Sequence, residues 1–205
     1  MNYFSIIDVE TTGFSPLKND KIVEIGIIKI DEDGKFLGSF ESLVNPQRDV
    51  GPTHIHGISE SMVTAAPLFS EIACDILEFL DGTYLAAHNY EFDMGFLKNE
   101  FIPFGVDLSS FPGFCTLKIA RELLPGLPSR SLEHLARHFS IKNSLIHSAY
   151  SDAAAASELL LIFLKKYKYQ LKYERMKVVE NGMKDNLFFQ SSGRKLTRVD
   201  LLELS

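Results

Sequence analysis

The stretch FSIIDVETTGF, residues 4–14, ends an apolar strand-like run on two carboxylates, Asp8 and Glu10. Strand side chains alternate between faces, so positions i and i+2 point the same way. Asp8 and Glu10 therefore stand side by side. Two like charges about 4 Å apart repel by roughly 4 kcal/mol at an effective dielectric near 20. A chain that folds this strand into a core must place positive charge between them or leave a proton on one of them. Thr11, Thr12 and Gly13 follow directly. Gly13 permits a tight turn, and the amides of Thr11 and Thr12 are expected to face an incoming anion.

Strands recur after this one. Residues 21–30, KIVEIGIIKI, form an isoleucine-rich second strand, Asp33-Gly34 marks a turn, and a third strand runs from Phe36 to Pro46. Apolar groups at 68, 69, 72, 73, 76, 79 and 80 make a helical face over residues 67–81, with Gly82 as its stop. TYLAAHN is a short strand, EFDMGFLKNEF a helix, FCTLKIARELL a short strand passing into a helix, and SLEHLARHF a helix. A long helix begins near Asp152. A meander followed by alternating strands and helices predicts an α/β fold, a mixed five-stranded sheet flanked by helices. The expected organisation is one domain over residues 1–166 and a basic, aromatic extension over 167–205.

Composition narrows the function classes. Two cysteines, Cys74 and Cys115, give neither a disulfide framework nor a cysteine zinc site. The N-terminus has no leader pattern, and the apolar run LLLIFL is far too short to span a bilayer. A cytoplasmic protein with no membrane partner is expected. Net charge is −6, but residues 165–205 carry ten Lys/Arg against five Asp/Glu, so the body is strongly acidic. That argues against broad electrostatic gripping of a phosphate backbone. It leaves open an acidic pocket whose bound cations receive a phosphodiester. In the extension, lysines alternate with Tyr167, Tyr169 and Tyr173. Such a segment is either a solvated helix with a small packing flap or a docking element for a protein or nucleic-acid partner.

Two more carboxylates sit where elements change. Asp93 falls near the start of a helix after an apolar strand, and Asp152 near the start of the long helix. Capping explains either one alone. Strand ends in an α/β sheet gather on one edge, however, and sites form there. Four carboxylates meeting on that edge require cations, and oxygen-only ligation selects Mg²⁺ or Mn²⁺. His147, five residues before Asp152, is placed to act as a general base or to be merely structural.

Asp8-x-Glu10-Thr-Thr-Gly, then His88-Asn-x-x-Phe-Asp93, then His147-x₄-Asp152 resemble the three motifs of the DEDDh exonuclease family. That family includes the proofreading epsilon subunits of bacterial DNA polymerase III, ribonuclease T and oligoribonuclease. The DEDDy branch would need tyrosine where Ser148 stands. The resemblance implies an RNase H-like fold and hydrolysis from a 3′ end with two divalent ions, Mg²⁺ or Mn²⁺. It implies that Asp8 bridges both ions, that Glu10 and Asp152 hold the one beside the attacking water, and that Asp93 helps hold the other. His147 would take the proton from that water. Thr11, Thr12, Phe14, His56 and Asn89 are implied to line the pocket for the terminal nucleotide, although core packing accounts equally well for Phe14.

The resulting expectation is a 3′–5′ exonuclease on single-stranded or frayed DNA, of the proofreading kind, with a polymerase subunit as a partner of the extension. An RNA-trimming exonuclease is the alternative, because the carboxylate core ignores the sugar. A non-catalytic docking subunit and an RNase H-type endonuclease are the remaining readings.

Overall fold

The computed structural model describes residues 1–108, 113–142 and 148–167. The expectations for His147 and for residues 168–205 fall outside that range. Five strands, β1 (Tyr3–Thr11), β2 (Ile22–Asp31), β3 (Phe36–Leu43), β4 (Tyr84–Ala87) and β5 (Phe114–Cys115), form one sheet in the order β3-β2-β1-β4-β5. The meander pairs antiparallel, while β4 and β5 join parallel to β1, so the sheet is mixed as expected. The helices are α1 (Thr53–His56), α2 (Glu60–Val63), α3 (Phe69–Leu80), α4 (Tyr90–Phe101), α5 (Thr116–Leu123), α6 (Leu132–Phe139) and α7 (Ala149–Lys165).

Alternation along β1 decides how the layers assemble. Ile7 and Val9 join Ile25 and Ile27 in a core with α3 and α4, where Ile76, Leu77, Leu97 and Phe101 are fully buried. Phe4 and Ile6 join Ile28 and Ile30 in a second core with α5, α6 and α7, around Leu135, Leu159 and Phe163. Each such side chain contributes about 1.5–3 kcal/mol of burial. Asp8 and Glu10 continue the Phe4–Ile6 side of the strand, which is the side that α7 covers.

The β2–β3 turn follows its sequence signal, with Gly34 at φ 86°, a region closed to most side chains. The helices α1 and α2 have no counterpart among the expected elements, because four residues cannot display a helical period. Tyr167, assigned by its sequence to the extension, packs edge-on to Phe139 and Phe163 with ring centroids 6.4 and 6.1 Å away.

Candidate active site

Carboxylate oxygens of Asp8, Glu10 and Asp152 all lie within 4.8 Å of one another. Two come from the end of β1 and the third from the first turn of α7. The chain separation is large, but the geometry follows from the layers, since α7 crosses the face of β1 and β2 that carries Asp8 and Glu10. Gly26 makes this crossing close. A Cβ there would stand 2.4 Å from the carbonyl carbon of Ala149 and from the backbone nitrogen of Tyr150.

Asp93 enters from the opposite layer. The strand β4 pairs with β1 only from Phe4 to Ile6. Among the described residues no strand lies beside that edge of β1 beyond Ile6, and Asp93 Oδ1 on α4 accepts the Val9 N–H at 3.2 Å. Among the described residues Asp93 is not part of the tight trio, yet it is close enough for its charge to act on Asp8.

The electrostatics are one-sided. Asp8 is pushed well above the usual carboxylate range, first by burial and then by the charges of Asp93, Asp152, Glu10 and Glu24. Glu10 is raised to about 7 by burial, Asp152 and Glu24. Asp93 is raised to about 8, burial outweighing the hydrogen bonds from Val9 and its own backbone N–H, with Glu10 adding to the rise. Every charge that perturbs these three is another carboxylate. Among the described residues no Lys or Arg pairs with Asp8 or Glu10. The donor set is all oxygen, which fits a hard divalent cation.

The remaining predicted residues divide. Phe14 is 79% exposed beyond the end of β1, so it is not a core residue and its ring is free to meet a ligand. Asn89 is exposed at the N-cap of α4, one turn before Asp93. Thr11 and Thr12 are buried. The Thr12 amide donates to Lys21 O at 2.8 Å and its hydroxyl accepts the Lys21 N–H at 3.0 Å, so the expectation that this amide faces an anion fails. Thr11 Oγ1 donates to Gly13 O at 2.6 Å. His56 is 5% exposed, and Ile58 N–H donates to its Nδ1 at 3.0 Å. That leaves the proton on Nε2, which donates to Val50 O at 3.2 Å. Both ring nitrogens hold the 50–58 loop together, which corrects the expectation that His56 reaches a phosphate or sugar.

Glu24 was missed from sequence. It is 9% exposed and lies opposite Glu10 in the β1–β2 register. A glutamate inside KIVEIGIIKI, flanked by apolar residues on both faces of the strand, was the available signal.

The sequence profile of the exonuclease family, RNase_T, matches residues 5–160. The chain belongs to this family. Its mixed five-stranded sheet flanked by helices is the RNase H-like fold expected from the sequence. It is 34% identical over 186 residues to a DNA polymerase III of PolC type from Clostridium perfringens, covering 90% of this chain but 13% of that protein. It is 35% identical over 170 residues to the DNA polymerase III subunit epsilon of Buchnera aphidicola, covering 77% of this chain and 72% of that subunit. The nuclease domain of 3′hExo, a DEDDh family member solved bound to rAMP, superposes with a TM-score of 0.70. It is 16% identical, with 85% of this chain and 98% of that one covered, and shows the fold. The chain thus spans a small fraction of its PolC-type relative. Among the described residues no helix is long and apolar enough to cross a membrane.

Proposed function

We propose that this chain is a proofreading-type 3′–5′ exonuclease that releases nucleoside monophosphates from single-stranded or frayed DNA 3′ ends. The observation that carries the reading is the convergence of Asp8, Glu10 and Asp152, far apart in the chain, with carboxylate oxygens within 4.8 Å of one another. These three would hold divalent ions, Mg²⁺ or Mn²⁺, and Asp93 would support the second of two. Such ions, when bound, supply charge neutralisation for a phosphodiester and acidify water.

The chain's own residues do the rest. Asp93 ties α4 to β1 through Val9 and so keeps the second layer against the site. Phe14, exposed beside the strand end, offers a face on which a terminal base stacks, worth about 1–3 kcal/mol. Asn89 stands at the other rim. His147 accepts the proton of the attacking water, a role that typically contributes about 10²–10⁴ in rate. A polymerase partner belongs to this reading, with residues 167–205 as the segment that docks it. The likeness to an epsilon subunit over most of that subunit's length supports DNA over RNA.

The test is a cleavage assay on 3′- and 5′-labelled DNA and RNA strands with Mg²⁺, Mn²⁺ or chelator. Metal-dependent release of single nucleotides from the DNA 3′ end is expected, abolished by Asp8→Ala. Faster trimming of RNA would move the reading to an exoribonuclease. Internal cuts, or full activity in chelator, would overturn it.

A further inference from the structure

We propose that Glu24 is a positioning residue for the acidic site: it anchors the N-terminus of α7 to β2 and thereby sets where Asp152 stands against Asp8 and Glu10. The inference rests on the reading of those three as the ion-holding group. The contact is specific. The Ala149 N–H, the first of α7, donates to Glu24 Oε2 at 2.9 Å, across 125 residues of chain. Both partners are buried, Ala149 completely. The first amides of a helix have no partner within it, and a carboxylate there also meets the positive end of the helix dipole.

Two further amides of this turn are satisfied locally. Ser151 N–H donates to Ser148 Oγ at 3.2 Å, and Asp152 N–H donates to Ser148 O at 3.0 Å. These bonds shape the turn but do not fix it to the sheet. Glu24 does, and Gly26, two residues on and on the same face, lets the helix backbone approach where any side chain would hold it off. Asp152 lies one turn from the anchored amide, so a shift of Ala149 is passed on to its carboxylate.

Glu24 is also an expensive choice. It stands directly opposite Glu10, and like charges in that relation destabilise a sheet. Its charge helps to raise both Asp8 and Glu10. A glutamate tolerated at this position must do something that an isoleucine, the commonest residue of β2, would not. Accepting the Ala149 amide is that task.

Three variants separate the hydrogen bond from the charge. Glu24→Gln keeps an acceptor of the same reach and removes the charge. Glu24→Asp keeps the charge but is one methylene too short to reach Ala149. Glu24→Ala removes both. Amide hydrogen exchange at Ala149 is read in chelator, with no ion present, and kcat and the Mg²⁺ concentration for half activity are read on a DNA oligonucleotide. Glu24→Asp and Glu24→Ala should exchange Ala149 faster. They should also show a kcat lower, or a half-activating Mg²⁺ concentration higher, by about 10- to 100-fold, the range for residues that orient metal ligands. Glu24→Gln should recover most of both. Unchanged exchange or kinetics in Glu24→Asp overturns the anchor, as does a Glu24→Gln as damaged as Glu24→Ala. If Glu24→Ala does not fold, the Asp and Gln variants still decide. A wild-type chain without metal-stimulated cleavage would sink the underlying site reading instead, while Ala149 exchange would still report on the anchor.

Discussion

Val9 N–H donates to Asp93 Oδ1 at 3.2 Å, joining the middle of the carboxylate strand to the first turn of α4 across 84 residues. Asp93 therefore has a structural task and, in the proposed function, an ion-holding one. Asp93→Asn retains the Oδ1 acceptor and removes the charge. It should melt at or above the wild-type temperature in chelator yet lose about 10- to 100-fold in metal-dependent cleavage. Asp93→Ala leaves the Val9 N–H unsatisfied, which costs about 1–3 kcal/mol. A lower melting temperature for Asp93→Ala than for Asp93→Asn, by calorimetry, checks the division.

Removing divalent ions should make stability depend on pH in a definite direction. Glu10 at about 7 and Asp93 at about 8 lie above their ordinary values of 4.5 and 3.8. Without ions the folded protein holds protons that the unfolded chain has already released. Their favourable contribution is complete below pH 4 and is lost as pH rises through 7 and 8. The chelated protein should lose stability progressively from about pH 4 and level off near pH 8. Each kcal/mol lost lowers the melting temperature by roughly 2–4 °C for a chain of this size. Added Mg²⁺ or Mn²⁺ should restore it at pH 8 far more than at pH 6. A flat chelated profile would mean that protein groups balance the carboxylates.

Much of this was legible in the sequence, for identifiable reasons. The apolar, isoleucine-rich runs FSIID and KIVEIG, together with the Asp33-Gly34 turn, specified the strands of the meander. The side-by-side placement of Asp8 and Glu10 followed from period alone. Residues 51–66 were opaque because α1 and α2 are single turns, shorter than any period can reveal. His56 showed why a residue type does not announce its role. Its ring nitrogens are taken by Val50 and Ile58, a loop closure that sequence spacing does not encode. Glu24 was hidden because its partner lies on α7, brought near only by tertiary packing.

His147→Ala should separate proton transfer from ion holding. The resemblance gives His147 the base and leaves ligation to carboxylates. Turnover should fall by about 10²–10⁴ with little change in the Mg²⁺ concentration for half activity. Turnover near wild type would remove His147 from the mechanism.

Phe14→Ala is predicted to affect substrate and not stability. The ring is 79% exposed, so little apolar burial is lost on truncation. The melting temperature should stay within about 2 °C, as for surface substitutions. Loss of a stacked base of about 1–3 kcal/mol corresponds to roughly a 5- to 150-fold higher KM for a short oligonucleotide. An unchanged KM would place the terminal nucleotide elsewhere.

His88 should make the fold acid-sensitive independently of the carboxylates. Its Nε2–H donates to Arg130 O at 3.0 Å, and its Nδ1 takes the Thr116 hydroxyl at 2.9 Å. Together these tie the end of β4 to α5 and to the segment before α6. Burial is the main cause that lowers His88 from 6.5 to about 4, with Arg121 adding to it against the Arg130 hydrogen bond. The folded ring therefore stays neutral where the unfolded one is charged. Its contribution is whole above pH 6.5 and is lost as pH falls toward 4. At about 1.4 kcal/mol per pH unit, the loss reaches about 2–3 kcal/mol by pH 4.5. The raised carboxylates pull the other way in this range, so the measurement is a difference. The stability advantage of wild type over His88→Asn, from urea midpoints in chelator, should shrink steadily from pH 7 to pH 4.5. An advantage that stays constant across that interval would mean that His88 titrates as an ordinary exposed histidine.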